Sequence, residues 1–547
     1  MMRADSRLPH GRHFALTWGI SDHYGGMTTA MLRRSRSFRR IGGVDVDILT
    51  LDDRPDYAEL DERLRAAGEL IDGLRIRNIW DELRRRTPPA KGTDLDPVAL
   101  LVPADDDVVH ERDGVVLSRR RSRADGAPTA VDRFRSDGTL LATERADTPS
   151  RRIVVYAEDG TPVRAWKTSW TLYRWWFDRL TAGKTSYMLV DSKTAARCVA
   201  GYRRENVTTV HIVHASHRLG GRAETLRSSR ASVLRRAGDY DDIVVLTERQ
   251  RDDLVDDLRA FDVTARIRAI PNEAEFLPHS GRPRSNTYGV VVASLETRKR
   301  LEHAVDAVAR ARELDQRIEF DVFGDGPRES DIRRRVRTLG VEEHVRLRGF
   351  DPEARGVFQV AGFSLLTSTS EGLPLVLIES MAAGCIPIAY DIRYGPADMI
   401  RDGVDGFVVP ERDIEKMAQR MVELQSMPAA RIEAMRRRAM ARAAEFSDVA
   451  VTRQWARELR SAEMLQHHSP RSNAAARGTS SPVRFALDEP TAQAGPAASP
   501  PFSSSSSATA AGASTASPDA PASLPYPRVA AISAGGSKPS SRRPSNS

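Results

Sequence analysis

Short apolar runs alternate with amphipathic segments along most of this chain, and this alternation predicts β-strands followed by α-helices. Residues 14–19 predict a first strand, a loop with Gly25-Gly26 follows, and residues 27–40 repeat with a helical period. Similar apolar runs occur at 187–191, 208–214, 242–246, 288–295 and 363–367. Continuous apolar strands are typical of parallel sheets that carry helices on both faces. The pattern therefore predicts an α/β protein built from doubly wound sheets.

A different pattern occupies about residues 105–168. Short alternating segments flank Asp113-Gly114, Asp137-Gly138 and Asp159-Gly160. An Asp-Gly pair between such segments is a strong signal for a tight hairpin. We therefore predict an inserted antiparallel β module. It is either a binding or self-association surface, because exposed strand edges invite pairing, or a surface insertion without a role of its own.

The 547 residues are too many for one core, which predicts more than one domain. We predict a first domain over 14–277, which contains the insertion and a helical stretch at 55–90, and a second domain over 286–445. A last helix covers 446–465. Residues 466–547 are rich in Ser, Ala, Pro and Gly and poor in large apolar side chains, which predicts a disordered tail.

Charge and cysteine content narrow the class of protein. Lys and Arg number 83 against 75 Asp and Glu, a net charge of +8, and the two cysteines make no disulfide framework. No apolar run reaches the ~20 residues of a membrane span, and residues 1–13 contain no apolar signal-peptide core. We expect a cytoplasmic protein without a nucleic-acid partner, whose basic faces contact an anionic polymer or the inner face of the membrane.

The segment 370–384 contains the most informative chemistry. Glu371 lies in a turn after the apolar strand 363–367, and Glu379 follows about two helical turns later. Carboxylates accept hydrogen bonds from sugar hydroxyls, and a helix N-terminus accepts phosphate. The segment could therefore hold a sugar, a ribose and a diphosphate. Alternatively, Glu371 caps the helix and Glu379 is only a solvated helix residue.

Other candidate residues follow predicted strands. His214 and His217 follow the strand at 208–214, Lys299 follows the strand at 288–295, and a loop with Gly324 and Gly326 follows the apolar residues at 320–323. Ligands of open α/β sheets bind at the carboxyl ends of strands, although a strand-end histidine is as often a packing residue. Asp45-x-Asp47 is a polar strand edge rather than a metal site, and we predict no metal.

The pattern Ser-x-x-Glu-Gly-x-Pro-x-x-x-x-Glu-x-Met-Ala-x-Gly-x-x-Pro, which begins at Ser368, resembles the donor-site signature of retaining family 4 glycosyltransferases of GT-B fold. The insertion and Tyr394-Gly395-Pro396 resemble teichoic-acid α-glycosyltransferases of the poly(glycerol-phosphate) α-glucosyltransferase type. The resemblance covers about residues 14–465 and is strongest over 286–410. It implies two Rossmann-like domains that face a cleft, the first for the acceptor and the second for the donor.

Roles for individual residues also come from the resemblance. It implies that Glu371 and His214, with His217 as second choice, contact the transferred sugar, that Glu379 holds the ribose, and that Lys299 neutralises the diphosphate. Glu371, Lys299 and His214 are the implied catalytic residues. Ser294 stands where the family has a phosphate-binding arginine, and Arg298 is a candidate substitute. The implied donor-binding residues are Gly25, Gly26, Ser294, Arg298, Lys299, Gly324, Gly326, Glu371, Gly372, Leu373 and Glu379.

The implied reaction moves a hexose or N-acetylhexosamine from a nucleotide sugar to an acceptor hydroxyl with retention of configuration. UDP is carried over as the family's usual carrier, and UDP-glucose is the expected donor type. The expected acceptor is a cell-wall glycopolymer such as teichoic acid, or a protein. We expect no cofactor beyond the nucleotide sugar, and a homo-oligomer formed through the insertion. The alternatives are a catalytically weak oligomeric glycopolymer-binding protein of the same fold and a GT-B sugar phosphorylase.

Overall fold

The computed structural model describes residues 6–22, 24–54, 56–89, 98–123, 128–146, 152–219, 226–274, 276, 281, 283–315 and 317–468. All of them belong to one compact unit, residues 1–493, whereas a second unit, residues 494–547, holds no described residue. The tail predicted from residue 466 was wrong for 466–468, which belong to the last helix, and its remainder, 469–547, lies outside the described residues.

The first lobe is built on a seven-stranded sheet and begins with three strand–helix pairs. These are β1 Arg12–Leu16, α1 Gly26–Arg40, β2 Val46–Thr50, α2 Tyr57–Ala66, β3 Leu74–Asn78 and α3 Ile79–Arg85. The helical prediction for 55–90 was wrong at β3, which pairs in parallel with β2. Arg75 and Arg77 alternate with apolar residues there and bind Asp47 of β2, so an edge strand with a charged face resembled a polar helix.

An antiparallel sheet interrupts this lobe, as the Asp-Gly pattern predicted. Its strands are β4 Val108–Arg112, β5 Val115–Ser122, β6 Pro128–Phe134, β7 Leu140–Arg145, β8 Arg152–Tyr156 and β9 Pro162–Trp166, each paired with the next. Gly114, Gly138 and Gly160 have φ of +74°, +82° and +81°, a conformation that glycine adopts without strain. Leu141, Ile153 and Val155 share an apolar core with Trp80 of α3, which anchors the insertion on the lobe.

The rest of the first lobe restores the parallel pattern. It contains α4 Ser169–Thr181, β10 Ser186–Val190, α5 Lys193–Val199, β11 Val207–Val213, α6 Ser228–Leu234, β12 Asp242–Val245, α7 Glu248–Ala260 and β13 Ile267–Ala269. The strand order is β13-β12-β11-β10-β1-β2-β3, and all of these strands are parallel. The carboxyl ends of β10 and β11 therefore lie side by side, and the residues after them share one edge of the sheet.

The second lobe contains a six-stranded parallel sheet in the order β16-β15-β14-β17-β18-β19. Its elements are β14 Ser285–Val292, α8 Leu301–Leu314, β15 Glu319–Phe323, α9 Glu329–Thr338, β16 Val345–Gly349, β17 Ala361–Leu366, α10 Leu375–Ala382, β18 Ile386–Tyr390, α11 Pro396–Met399, β19 Phe407–Val409, α12 Ile414–Ser426 and α13 Ala429–Ala443. Strands β14 and β17 are neighbours, so the loops that follow them meet at one edge.

The last helix joins the two lobes. Helix α14, Asp448–His468, packs Trp455 against Phe38 of α1 with 6.0 Å between ring centroids, and Arg34 lies over the Trp455 ring at 5.5 Å. No helix among the described residues is both long and apolar enough to cross a membrane.

Candidate active site

Two cations hold one carboxylate between the loops that follow β14 and β17. Lys299 Nζ donates to Glu371 Oε1 and Arg298 Nη1 donates to Glu371 Oε2, both at 2.8 Å. Burial favours the neutral acid, but Lys299 and Arg298 outweigh it and hold the pKa of Glu371 below its usual value. Glu371 is therefore an anion near neutral pH, and Glu296, whose Oε2 lies 3.8 Å from Arg298 Nη2, is a second carboxyl group beside the same cations.

Backbone contacts fix the two loops against each other. Thr369 N donates to Arg298 O at 2.9 Å, and Thr367 Oγ1 donates to Lys299 O at the same distance. The backbone of Glu371 pairs with residues 393 and 394, because Tyr394 N donates to Glu371 O at 3.0 Å. Lys299 and Glu371 therefore occupy defined positions although both lie outside regular strands.

Glu379 of α10 is buried at 7% exposure and lies 3.2 Å from Arg355 Nε through its Oε2 atom. Glu371 and Glu379 thus have different cationic partners. The solvated alternative for Glu379 does not hold, because a buried carboxylate next to a guanidinium is not a solvated helix residue.

A glycine loop after β15 packs backbone to backbone against the loop after β14. Gly324 has φ +131°, and a Cβ atom there would lie 1.9 Å from Ala293 O. Leu295 N donates to Asp325 O at 2.7 Å across the same contact, and Gly326 follows with φ +147°. No side chain fits between the glycine loop and the loop after β14, and the neighbouring Ser294 is exposed. A ligand can therefore approach the backbone closely at this wall.

His214 is held by a buried acid in the first lobe. Its Nε2 lies 2.7 Å from Asp191 Oδ1, and Arg34 donates to both Asp191 oxygens at 2.9 and 2.8 Å. Burial opposes ionisation of Asp191, but Arg34 and His214 lower its pKa to about 2. A carboxylate anion accepts hydrogen bonds, so Nε2 of His214 carries the proton in this network. Nδ1 has no partner among the described residues and is an acceptor in the neutral form of the ring.

The two lobes meet between His214 and Glu371. A Cβ atom on Gly372 would lie 2.1 Å from His214 O and 3.0 Å from the Ala215 Cα atom. The loop that carries Glu371 therefore touches the end of β11, and the adjacent Leu373 is buried at 8% exposure. The structure thus places the loop that carries Glu371, the partner of Lys299, against the strand end that carries His214.

Other predicted residues have different surroundings. Gly25 and Gly26 are exposed at the start of α1, where added Cβ atoms would have no atom of the described residues within 4 Å. His217 is fully buried, lies 3.0 Å from Asp257 through Nε2 and stacks on Tyr394 at 5.6 Å. Burial lowers the pKa of His217 to about 4, so it is neutral and acts as an interlobe packing residue.

Residues that the sequence reasoning missed orient the site and join the lobes. Arg34 and Asp191 hold His214, and Asp253 Oδ2 accepts hydrogen bonds from Arg393 Nη1 and the Tyr394 hydroxyl, both at 2.8 Å. Asp191 directly follows β10, so the strand-end rule that selected His214 also pointed to it. No signal in the sequence pointed to Arg34, which lies within an amphipathic helix.

Comparisons with known proteins agree with this architecture. The family described as "Glycosyl transferases group 1" matches residues 273–445. An exopolysaccharide phosphotransferase of Streptomyces coelicolor is 35% identical over 245 residues, which are 44% of this chain and 25% of that protein. The poly(ribitol-phosphate) alpha-N-acetylglucosaminyltransferase of Staphylococcus aureus is 21% identical over 75% of this chain and 92% of its own length.

The fold is also that of a solved relative. The structure of a point mutant of S. aureus TarM in complex with fondaparinux, alpha-GlcNAc-glycerol and UDP aligns with a TM-score of 0.62 and 18% identity. The alignment covers 82% of this chain and 100% of the TarM chain. The predicted GT-B fold, two parallel-sheet lobes with an antiparallel insertion in the first, is therefore confirmed.

Proposed function

Residues 273–445 of this chain form a group 1 glycosyl transferase domain, and on this premise we propose that the protein transfers a hexose or N-acetylhexosamine from a nucleotide sugar to an acceptor hydroxyl. The observation that carries the proposal is the cluster of Lys299, Arg298 and Glu371 opposite His214. It combines cations suited to a diphosphate with groups that accept hydrogen bonds from a sugar.

The proposed reaction retains the configuration of the sugar. The bond between sugar C1 and the diphosphate oxygen breaks while the acceptor oxygen bonds to C1 on the same face. The acceptor proton passes to the departing diphosphate oxygen. Lys299 and Arg298 stabilise the negative charge that develops on that oxygen, which is where a fixed cation lowers the barrier. No metal ion is part of this proposal.

His214 and Glu371 hold the sugar in this proposal. Since the proton of His214 is on Nε2, its Nδ1 can accept a hydrogen bond from a sugar hydroxyl. Glu371 accepts hydrogen bonds from other hydroxyls once the diphosphate takes over its two cations. Glu379, next to Arg355, holds the ribose of the nucleotide.

We further propose a UDP-linked donor and a sugar-phosphate polymer as acceptor. The TarM complex contains UDP, and the relative from S. aureus that aligns over 92% of its length is named for a poly(ribitol-phosphate) substrate. The β insertion, whose edge strand β4 exposes Val108 by 51% and Val109 by 40%, is the proposed surface for self-association.

A transfer assay on the purified full chain tests the function. UDP-glucose, UDP-N-acetylglucosamine and the matching GDP and ADP sugars are offered with oligomers of ribitol phosphate or glycerol phosphate, and the anomeric configuration of the product is read by NMR. We expect an α-linked product from a UDP sugar and none with Glu371→Gln. An inverted product, or unchanged turnover in Glu371→Gln, would contradict the mechanism.

A second candidate is a binding protein of the same fold with weak catalysis. It is favoured by Ser294, an exposed side chain without charge at the position where the resemblance implies an arginine. Tight binding of a UDP sugar without transfer or hydrolysis would support this candidate. Phosphate-dependent release of a sugar phosphate without any nucleotide would instead indicate a phosphorylase.

A further inference from the structure

A basic cavity opens at the amino-terminal edge of the first-lobe sheet, away from the candidate active site. Its volume is about 700 Å³. Two carboxylates, Asp45 and Asp47, line it together with six cationic side chains. The cationic side chains are Arg12, Arg39, Arg75, Arg77, Arg179 and Lys184.

The two carboxylates neutralise only one wall of the basic cavity. Asp47 lies 2.9 Å from Arg75 and 3.1 Å from Arg77, and Asp45 lies 3.3 Å from Arg39. These pairs occupy the side formed by β2, β3 and the end of α1. Arg77 Nε also lies 2.5 Å from Glu82 Oε1, so each cation of this wall has a carboxylate partner.

The opposite wall carries Arg12, Arg179 and Lys184. Among the described residues, none of the three has a carboxylate within 4.0 Å. Arg12 donates to the Leu180 carbonyl, Arg179 lies 5.2 Å from the centre of the Trp175 ring, and Lys184 is exposed. Three positive charges gathered in a concave site without compensation raise its potential for anions.

We propose that the basic cavity binds consecutive phosphate groups of a sugar-phosphate polymer. Arginine forks and a lysine suit phosphate oxygens, and the volume is in the range of ligand sites, roughly 300–1,000 Å³. Among the described residues of the lining, Val44 and Leu180 are the only aliphatic ones, so they offer no apolar anchor for a membrane. The same described lining contains no Phe, Tyr or Trp, and of its two histidines, His10 and His13, the latter is buried and stacks on Tyr187.

The basic cavity and the candidate active site occupy opposite edges of one sheet. Arg12 begins β1 and Lys184 precedes β10, whereas His214 follows β11 at the carboxyl end. Strands of five residues separate the edges by about 16 Å at 3.3 Å per residue. A polymer held in the cavity therefore leaves the donor cleft open, and the choice of a sugar-phosphate polymer as its occupant rests on the proposed function.

Binding of polyphosphate to the full chain tests the inference, with UDP affinity as a separate readout. The variant Arg179→Gln/Lys184→Gln is compared with Arg333→Gln/Arg334→Gln, which removes the same charge from exposed positions of α9 in the second lobe. We expect polyphosphate affinity to fall about tenfold in the cavity variant. The slope of log affinity against log salt concentration should become shallower by about two, one for each charge removed. The control should stay within about twofold, and UDP affinity should not change.

Three results would overturn the inference. Equal losses in both double variants would show that only net charge matters. Inorganic phosphate that binds as tightly as the chain would exclude a polymer site, and an oligo-dT that binds as tightly would indicate nucleic acid instead. If the cavity variant melts early because Arg179 packs on Trp175, exposed Lys184→Gln alone replaces it, and affinity unchanged in that variant counts against the site.

Discussion

Arg298 offers the sharpest test of the active-site proposal, because it stands four positions after Ser294, where the resemblance implies the arginine. Its guanidinium contacts Glu371 at 2.8 Å, next to Lys299. We predict that Arg298→Ala lowers turnover at saturating donor while the fold is kept. Adding Ser294→Arg to that variant should restore most of the loss, because position 294 is exposed beside the same wall.

The expected loss of turnover in Arg298→Ala follows from the exposed fraction of the Arg298 side chain. Two unit charges at 4 Å interact by about 1 kcal/mol in water and about 4 kcal/mol at an effective dielectric constant of 20. The side chain of Arg298 is 42% exposed, so we expect it to lower the free energy of the transition state by about 1.5–3 kcal/mol, which is roughly 10- to 100-fold in turnover. Lys299 is 15% exposed, and Lys299→Ala should cost roughly 100- to 1,000-fold.

Stability should change little in Arg298→Ala. Glu371 keeps Lys299 as its partner, and a half-exposed ion pair contributes only about 0–1 kcal/mol to the free energy of unfolding. Steady-state transfer kinetics and thermal unfolding are measured on the same preparations. Arg300→Ala is the matched control, because Arg300 is the next arginine but pairs with Glu411 at 3.0 Å instead of Glu371.

The reasoning is refuted if Arg298→Ala keeps turnover within about twofold of the parent, since even the water limit of about 1 kcal/mol predicts roughly a fivefold change. It is also refuted if Arg300→Ala loses as much turnover without loss of stability. Failure of Ser294→Arg to restore turnover would show that the cation must act from position 298.

Three further predictions concern Asp191 in the buried network that holds His214, Glu273 between the two lobes, and Gly372 at the contact between the lobes. Asp191→Asn should lower the free energy of unfolding by about 3–5 kcal/mol in urea titrations, because Arg34, at 6% side-chain exposure, loses its counter-charge; a loss below about 1 kcal/mol would contradict this. Burial raises the pKa of Glu273 to about 7, so its contribution to stability is complete below the unfolded pKa of about 4.5 and is lost as pH rises towards 7. In Glu273→Gln, the free energy of unfolding should change less between about pH 4.5 and pH 7. An unchanged slope in this range would show that Glu273 does not cause the loss of stability. Gly372→Ala, whose Cβ atom would lie 2.1 Å from His214 O, should lower turnover at least tenfold. Gly356→Ala, whose Cβ atom would have no atom of the described residues within 4 Å, should not; equal activities would show that the lobes need not touch there.

Local patterns predicted most of the elements correctly. The Asp-Gly pairs predicted the hairpins of the insertion, since Gly114, Gly138 and Gly160 adopt the positive φ that these tight turns need. Apolar runs gave the parallel strands, since strands buried on both faces have no polar side to display. Strand β3 was missed because Arg75 and Arg77 alternate along it, and their partner Asp47 lies on another strand.

The sequence by itself determined the fold class, the insertion and the loops that carry Glu371, Lys299 and His214. These features depend on periodicity and turn chemistry within a few neighbouring residues. Only the tertiary structure decided that Arg298 shares Glu371 with Lys299, that Asp191 and Arg34 orient His214, and that His217 packs between the lobes. Electrostatic pairing and burial act between atoms a few ångströms apart in space, and those atoms come from separate elements of the chain, 73 residues apart for Arg298 and Glu371 and 157 residues apart for Arg34 and Asp191.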